Sequence, residues 1–151
     1  MFGAIQFAKM AGRKLGGMFK GKKGKEALDK EVSDLGLDTD GVDIHVDDDG
    51  KITLKGKAVS QELKEKIILA VGNVSGVGEV HDEVETDDDG TASQFHEVVS
   101  GDTLWAVSKK YYGKGSRYME IFEANKPMLS HPDKIYVGQM LRIPADNTAS
   151  A

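Results

Sequence analysis

The segment over residues 60–72 predicts a helix end whose main-chain oxygens could hold a cation. Leu63, Ile67 and Val71 follow the spacing of one helix face. Ser60 is a good N-cap before them, and Gly72 follows as a stop. The last turn of a helix leaves up to about four carbonyl groups without helical partners, at the negative end of the helix dipole. Carbonyls that turn inward there would attract a positive ion.

A second segment of the same kind lies near the N-terminus. Its apolar spacing predicts a short helix over residues 2–11 that stops at Gly12. The sequence thus offers main-chain oxygens at two such segments, residues 8–13 and 72–77. On their own, Gly72 and Gly76 favour ordinary helix stops, because glycine commonly ends a helix and a carbonyl site requires no particular side chain.

Side-chain chemistry points away from an enzyme. The chain has no cysteine, which excludes disulfides and thiolate metal sites, and its histidines show no paired metal spacing: His45, His81, His96 and His131. Acidic runs at residues 47–49 and 87–89 are interpreted as solvated turns, because neither is followed by the bidentate glutamate of a calcium loop. No nucleophile has an indicated histidine–acid partner. We therefore expect a protein without catalytic activity.

Charge and hydropathy limit the partners and the compartment. A net charge of −5 argues against nucleic acid as the main partner. Residues 1–25 carry seven basic residues and no acid, which favours a flexible basic segment and leaves a membrane-surface helix as the alternative. The N-terminus lacks the pattern of a signal peptide, and no run is long enough to span a bilayer. We expect a cytoplasmic monomer, with an unidentified protein partner left open.

The organisation predicted is α+β, in two small units. Residues 1–24 form the N-terminal helix and basic Gly/Lys segment, 25–86 a first domain, 87–94 a linker, 95–145 a second domain and 146–151 a tail. The first domain predicts the order αββαβ, with an Asp-Gly hairpin turn between its first two strands and its helices on one face of the sheet. The second predicts strand, helix, helix, strand.

Both units resemble known families. The second resembles a LysM domain through Val98, Asn125 and further matching residues: Gly101-Asp102-Thr103-Leu104, Val107 to Tyr111, Ile135, Gly138-Gln139, Leu141 and Ile143-Pro144. It departs from that family at His96, where an aromatic residue is usual. The first resembles a BON domain over residues 26–85. Together they resemble a bacterial family of cytoplasmic potassium-binding proteins with BON–LysM architecture.

The resemblance implies a potassium ion as the ligand, bound by main-chain oxygens. Potassium is weakly hydrated and favours several neutral oxygens such as carbonyls. Carried over by position, the ligands are the carbonyls of Ala8, Ala11, Arg13, Gly72, Val74 and Val77. Arg13 is a departure, since an acid is expected there. The family implies a sensor or accessory of potassium homeostasis that becomes more compact on binding K⁺.

The LysM resemblance also implies an alternative function. LysM domains commonly bind polymers of N-acetylglucosamine such as peptidoglycan, which would make this chain a cell-envelope module. The groove would involve Gly101, Asp102, Thr103, Leu104, Asn125 and Ile135. The neighbouring Trp105 could stack on a sugar ring, or could be a partly buried helix residue that packs on the BON domain.

Overall fold

The computed structural model describes residues 3–6, 21–47, 51–58, 60–74, 79–86 and 93–145. These residues form the α+β architecture that the sequence predicts. The elements of the first domain are β1 (Gly3–Gln6), α1 (Gly21–Asp34), β2 (Val42–Val46), β3 (Ile52–Ala58), α2 (Gln61–Gly72) and β4 (Glu79–Thr86). Those of the second are β5 (Gln94–Glu97), α3 (Leu104–Tyr112), α4 (Tyr118–Ala124) and β6 (Met140–Ile143).

The first domain is a four-stranded sheet in the order β1–β4–β3–β2. Strands β2 and β3 form the predicted antiparallel hairpin, and α2 is the crossover that makes β4 parallel to β3. Alternate strand residues such as Ile44, Leu54 and Val80 are buried, which is the pattern of a sheet with one face covered. They join Leu28 and Val32 of α1 in one core.

Helix α2 begins and ends where the sequence predicts. The Ser60 side chain accepts a 3.0 Å hydrogen bond from the Leu63 N–H, which satisfies one donor of the first turn. All residues from 67 to 72 are buried between the sheet, α1 and the second domain. The helix therefore forms the centre of the molecule, and its end lies inside the structure rather than in solvent.

The prediction of an N-terminal helix over residues 2–11 is wrong at its first turn. Residues 3–6 form strand β1, which pairs antiparallel with β4. The exposed edge of β4 offers unpaired N–H and C=O groups, and pairing with them outweighs a weak helical pattern in a short segment. Ile5 is half-buried against the core of the sheet. Residues 7–11 lie outside the described residues.

The second domain places two helices on the antiparallel pair β5–β6. Its core is made by buried apolar residues of α3, α4, β6 and the intervening loops: Val98, Leu104, Val107, Ile121, Phe122, Leu129, Leu141 and Ile143. Thr103 caps α3 by accepting a hydrogen bond from the Ala106 N–H at 3.1 Å. A 3₁₀ turn over Gly115–Arg117 leads into α4.

His96 is held by polar contacts within the second domain. Its Nε2 lies 2.8 Å from Asp102 Oδ2, and its Nδ1 lies 3.0 Å from the Tyr111 hydroxyl. Asp102 also accepts a hydrogen bond from the Val99 N–H, and this bond and the neighbouring His96 lower the pKa of the Asp102 carboxyl. A buried histidine at this strand position is thus accommodated by a carboxylate and a phenol.

No helix among these described segments has the length and apolar character needed to cross a membrane.

Candidate ion site at the end of helix α2

The pairing of β1 with β4 places the strand end just before Ala8 beside the strand end just after Val77. The last pair of the ladder is Gln6 with Glu79. Gln6 lies two residues before Ala8, and Glu79 lies two residues after Val77. Because one residue spans at most about 3.6 Å, the two predicted ligands are tethered within about 7 Å of neighbouring strand ends. Ala8, Val77, Ala11 and Arg13 themselves lie outside the described residues.

The remaining predicted ligands, Gly72 and Val74, lie at the buried end of α2. Gly72 is the last helical residue, and Val74 is 1% exposed. Here the Asn73 N–H donates to the Leu69 carbonyl at 3.0 Å, and the Val74 N–H to the Val71 carbonyl at 3.4 Å. The backbone of this turn is thus held in a fixed arrangement at the negative end of the helix dipole.

The second domain contacts this same turn through Asn73. The Asn73 amide nitrogen donates to the Met140 carbonyl, and the Met140 N–H donates to the Asn73 amide oxygen, both at 2.8 Å. The Asn73 amide thus pairs with both the N–H and the C=O of Met140, as the backbone of a neighbouring strand would. Asn73 lies between Gly72 and Val74 in sequence, so the candidate site and the domain contact share one turn of backbone.

A buried ion pair makes a second contact between the domains. Arg142 Nε lies 2.9 Å from Glu65 Oε1, and both side chains are less than a tenth exposed. Glu65 Oε2 accepts from Gln61 Nε2 and from the Ser93 N–H, each at 2.8 Å. Arg142 also donates to the Ala124 carbonyl at 2.9 Å. The pair therefore joins α2, the residue before β5, and the end of α4.

The environment keeps Glu65 ionised. Burial alone would raise the pKa of its carboxyl, but the hydrogen bonds from Gln61, Ser93 and Arg142 outweigh burial and lower the pKa. Sequence reasoning missed Glu65, Arg142 and the role of Asn73. One signal was present: Arg142 stands between Leu141 and Ile143, in a closing strand where every residue is buried.

The predicted glycan residues are partly brought together. Thr103 and Leu104 line a cavity of about 430 Å³, together with Trp105, Tyr118, His131, Pro132 and Asp133. Gly101 and Asp102 belong to the turn before Thr103, whereas the Asn125 side chain is buried and bonds to the backbone of Ile121 and Arg142. Ile135 packs against the LysM core.

Trp105 borders that cavity from α3. It is 54% exposed, and its ring lies against Gly115 and Tyr118 within the LysM domain. A Cβ on Gly115 would clash with the indole. Trp105 is therefore a partly buried helix residue, and these contacts lie within its own domain.

Side chains alone supply no evident metal centre in the described part of the chain. No group of three or more histidine, cysteine, aspartate or glutamate residues is arranged there to hold an ion.

Comparison with known proteins agrees with this two-domain structure. The BON domain family matches residues 24–88, and the LysM domain family matches residues 96–144. The chain is 50% identical over 149 residues to a protein named Potassium binding protein Kbp from Escherichia coli O6:H1 (strain CFT073), an alignment that covers 95% of this chain and 99% of the relative. The chain therefore belongs to the BON–LysM family that includes the potassium binding protein Kbp.

Proposed function

We propose that this protein binds K⁺ through backbone carbonyls where the N-terminal segment, the end of α2 and the start of β4 meet. The observation that carries the proposal is the register of β1 on β4, which ends at Gln6 and Glu79. Ala8 follows Gln6 by two residues and Val77 precedes Glu79 by two, so this register favours a site shared by the two segments. Membership of a family with a potassium binding protein supports K⁺ as the ion.

The ligands are the carbonyl oxygens of Ala8, Ala11, Arg13, Gly72, Val74 and Val77. Neutral oxygens favour K⁺ over divalent ions, which prefer carboxylates. The end of the α2 dipole adds negative potential without adding a formal charge. In this arrangement Arg13 contributes its carbonyl, and its side chain remains outside the coordination shell.

Ion binding makes the protein more compact. The ion links the N-terminal segment to the turn of Gly72 and Val74, and Asn73 within this turn bonds to Met140 of the LysM domain. A backbone ordered by K⁺ at this turn therefore also orders the contact between the domains. The protein acts in the cytoplasm as a sensor or accessory of potassium homeostasis, and neither catalyses a reaction nor transports the ion.

Thermal unfolding tests the proposal. The protein is unfolded in sodium buffer and titrated with K⁺ at constant ionic strength. A ligand that binds only the folded state stabilises it by about 2.7 kcal/mol at a concentration of 100 times its Kd. The midpoint is expected to rise with K⁺ and to stay constant when lithium replaces it, while the radius of gyration from X-ray scattering falls. Equal midpoints in all three ions would contradict the proposal.

A second candidate function rests on the exposed indole of Trp105 beside the 430 Å³ cavity. An indole face at the edge of a cleft can stack on a sugar ring. The chain contains one tryptophan, so its fluorescence reports this cavity alone. A saturable change with chitin oligomers that is lost in T103V would favour glycan binding. A constant signal would exclude it.

A further inference from the structure

A cavity between the two domains lies beside the Asn73 turn. We define the junction cavity by the residues that line it: Glu31, Leu35, Leu69, Ala70, Asn73, Met128, Tyr136 and Gln139. Its volume is about 290 Å³. Helices α1 and α2 form one wall, and the loop between α4 and β6 forms the other. At about 30 Å³ per heavy atom, the share of a water molecule in the liquid, it has room for roughly nine heavy atoms.

The lining is apolar with a small polar part. Leu35, Leu69, Ala70 and Met128 supply hydrocarbon, while Glu31 supplies a carboxylate that is only 5% exposed. Burial raises the pKa of the Tyr136 phenol, and the negative charge of Glu31 raises it further. The phenol therefore stays neutral near pH 7, where its oxygen can accept and its ring can face a cation.

The two amide side chains of the lining, those of Asn73 and Gln139, have different hydrogen-bond partners. Both polar atoms of the Asn73 amide are used by Met140. Gln139 Oε1 accepts from the Tyr136 N–H at 3.2 Å. A ligand in the junction cavity thus meets the Glu31 carboxylate from the helical wall and the Tyr136 phenol from the loop, with hydrocarbon on both walls. A carboxylate has about four acceptor positions, so Glu31 can accept from a ligand in addition to its protein neighbours.

We propose that the junction cavity binds a small primary ammonium ion with a short alkyl chain. The ammonium donates to the Glu31 carboxylate and to the Tyr136 oxygen. The alkyl chain packs against Leu35, Leu69 and Met128. A neutral molecule of the same shape loses the ion pair, and an anion is repelled by Glu31. The proposal does not rest on K⁺ binding, because none of its contacts uses the predicted carbonyl ligands.

Titration of the full chain with n-butylammonium chloride, followed by the backbone amide signals in ¹H–¹⁵N NMR, tests this. Amides of residues 35, 70, 128 and 139 are expected to shift saturably. 1-Butanol is expected to bind at least about tenfold more weakly, because its hydroxyl carries no positive charge to pair with the Glu31 carboxylate, and butyrate is expected to give no saturable shift.

Two variants and a matched control complete the test. E31Q is expected to weaken butylammonium binding by at least about tenfold, whereas E26Q, on an exposed position of the same helix, should leave it unchanged. Y136F, at a partly exposed position, gives a second measure if E31Q does not fold, and should weaken binding several-fold. Equal binding of butanol and butylammonium, binding that both E31Q and Y136F retain, or no saturable shift would overturn the proposal. If the K⁺-dependent rise of the unfolding midpoint persists in E31Q, a loss of butylammonium binding in this variant is due to the junction cavity and not to the carbonyl site.

Discussion

The middle and the end of α2 hold the LysM domain by different chemistry. In the middle, Glu65 and Arg142 form a buried charge pair whose geometry depends on two side chains. At the end, Asn73 bonds to the backbone of Met140 and carries no charge. The first contact supplies a strong and pH-sensitive link. The second connects the LysM domain directly to the backbone turn of the proposed ion site.

Truncation of the charge pair is expected to have the largest effect. E65A leaves the Arg142 guanidinium buried without its carboxylate, which costs about 3–5 kcal/mol of unfolding free energy. Urea denaturation measures this value. Since the double replacement E65L/R142L removes both charges, it should recover a large part of the loss. If E65A unfolds at the urea concentration of the parent protein, the pair is not a structural link.

Removal of the uncharged contact should cost less. N73A leaves the N–H and C=O of Met140 without their partner, for a loss of about 1–3 kcal/mol. The same substitution should reduce the K⁺-dependent rise of the unfolding midpoint, because the turn of Gly72 and Val74 loses its LysM support. Q94A, an exposed amide on β5, serves as control and should change stability by less than about 0.5 kcal/mol. If N73A keeps the full K⁺-dependent rise of the midpoint, the contact with Met140 does not support the ion site.

A pH series distinguishes the two contacts by charge. The pKa of Glu65 is lower in the folded protein than in the unfolded chain, where a glutamate titrates near about 4.3. Its stabilisation is therefore complete above that value and is lost as the pH falls through the folded pKa. The difference in unfolding free energy between the parent and E65Q should shrink between about pH 5 and pH 3. The difference between the parent and N73A should stay nearly constant down to pH 5.

The smallest effect is expected for the exposed pair on the same helix. Glu62 lies 3.5 Å from Lys66, and its side chain is 59% exposed. E62A should lower the unfolding free energy by about 0–1 kcal/mol, and less at high salt. A loss in urea denaturation as large as that of E65A would mean that burial does not explain the strength of the Glu65 contact.

Local patterns in the sequence predicted the elements that depend on local physics. The Ser60 cap, the end of α2 at Gly72 and the β2–β3 hairpin all follow from periodicity, capping and turn residues, and the structure confirms them. The helix predicted at residues 2–11 failed because β1 is specified by the edge of β4, more than 70 residues away in sequence.

The contacts between the domains were invisible to the same reasoning. Asn73 was compatible with a helix stop, and only the position of Met140 gives its side chain a partner. Glu65 is one of two acids on α2, and helical periodicity identifies the apolar face of a helix but not the partner of an acid. Main-chain ligands carry no residue signature at all, so Gly72 and Val74 followed from the family resemblance and not from spacing.

The most direct test of the proposed ion site observes the carbonyl groups themselves. The protein is labelled with ¹³C and ¹⁵N in sodium buffer and titrated with K⁺ while the backbone carbonyl ¹³C signals are recorded. The account predicts saturable shifts, with one common Kd, for the carbonyls of Gly72, Val74, Val77, Ala8, Ala11 and Arg13. Lithium should leave these signals in place. Saturable shifts confined to other carbonyls, or none at these six, would contradict it.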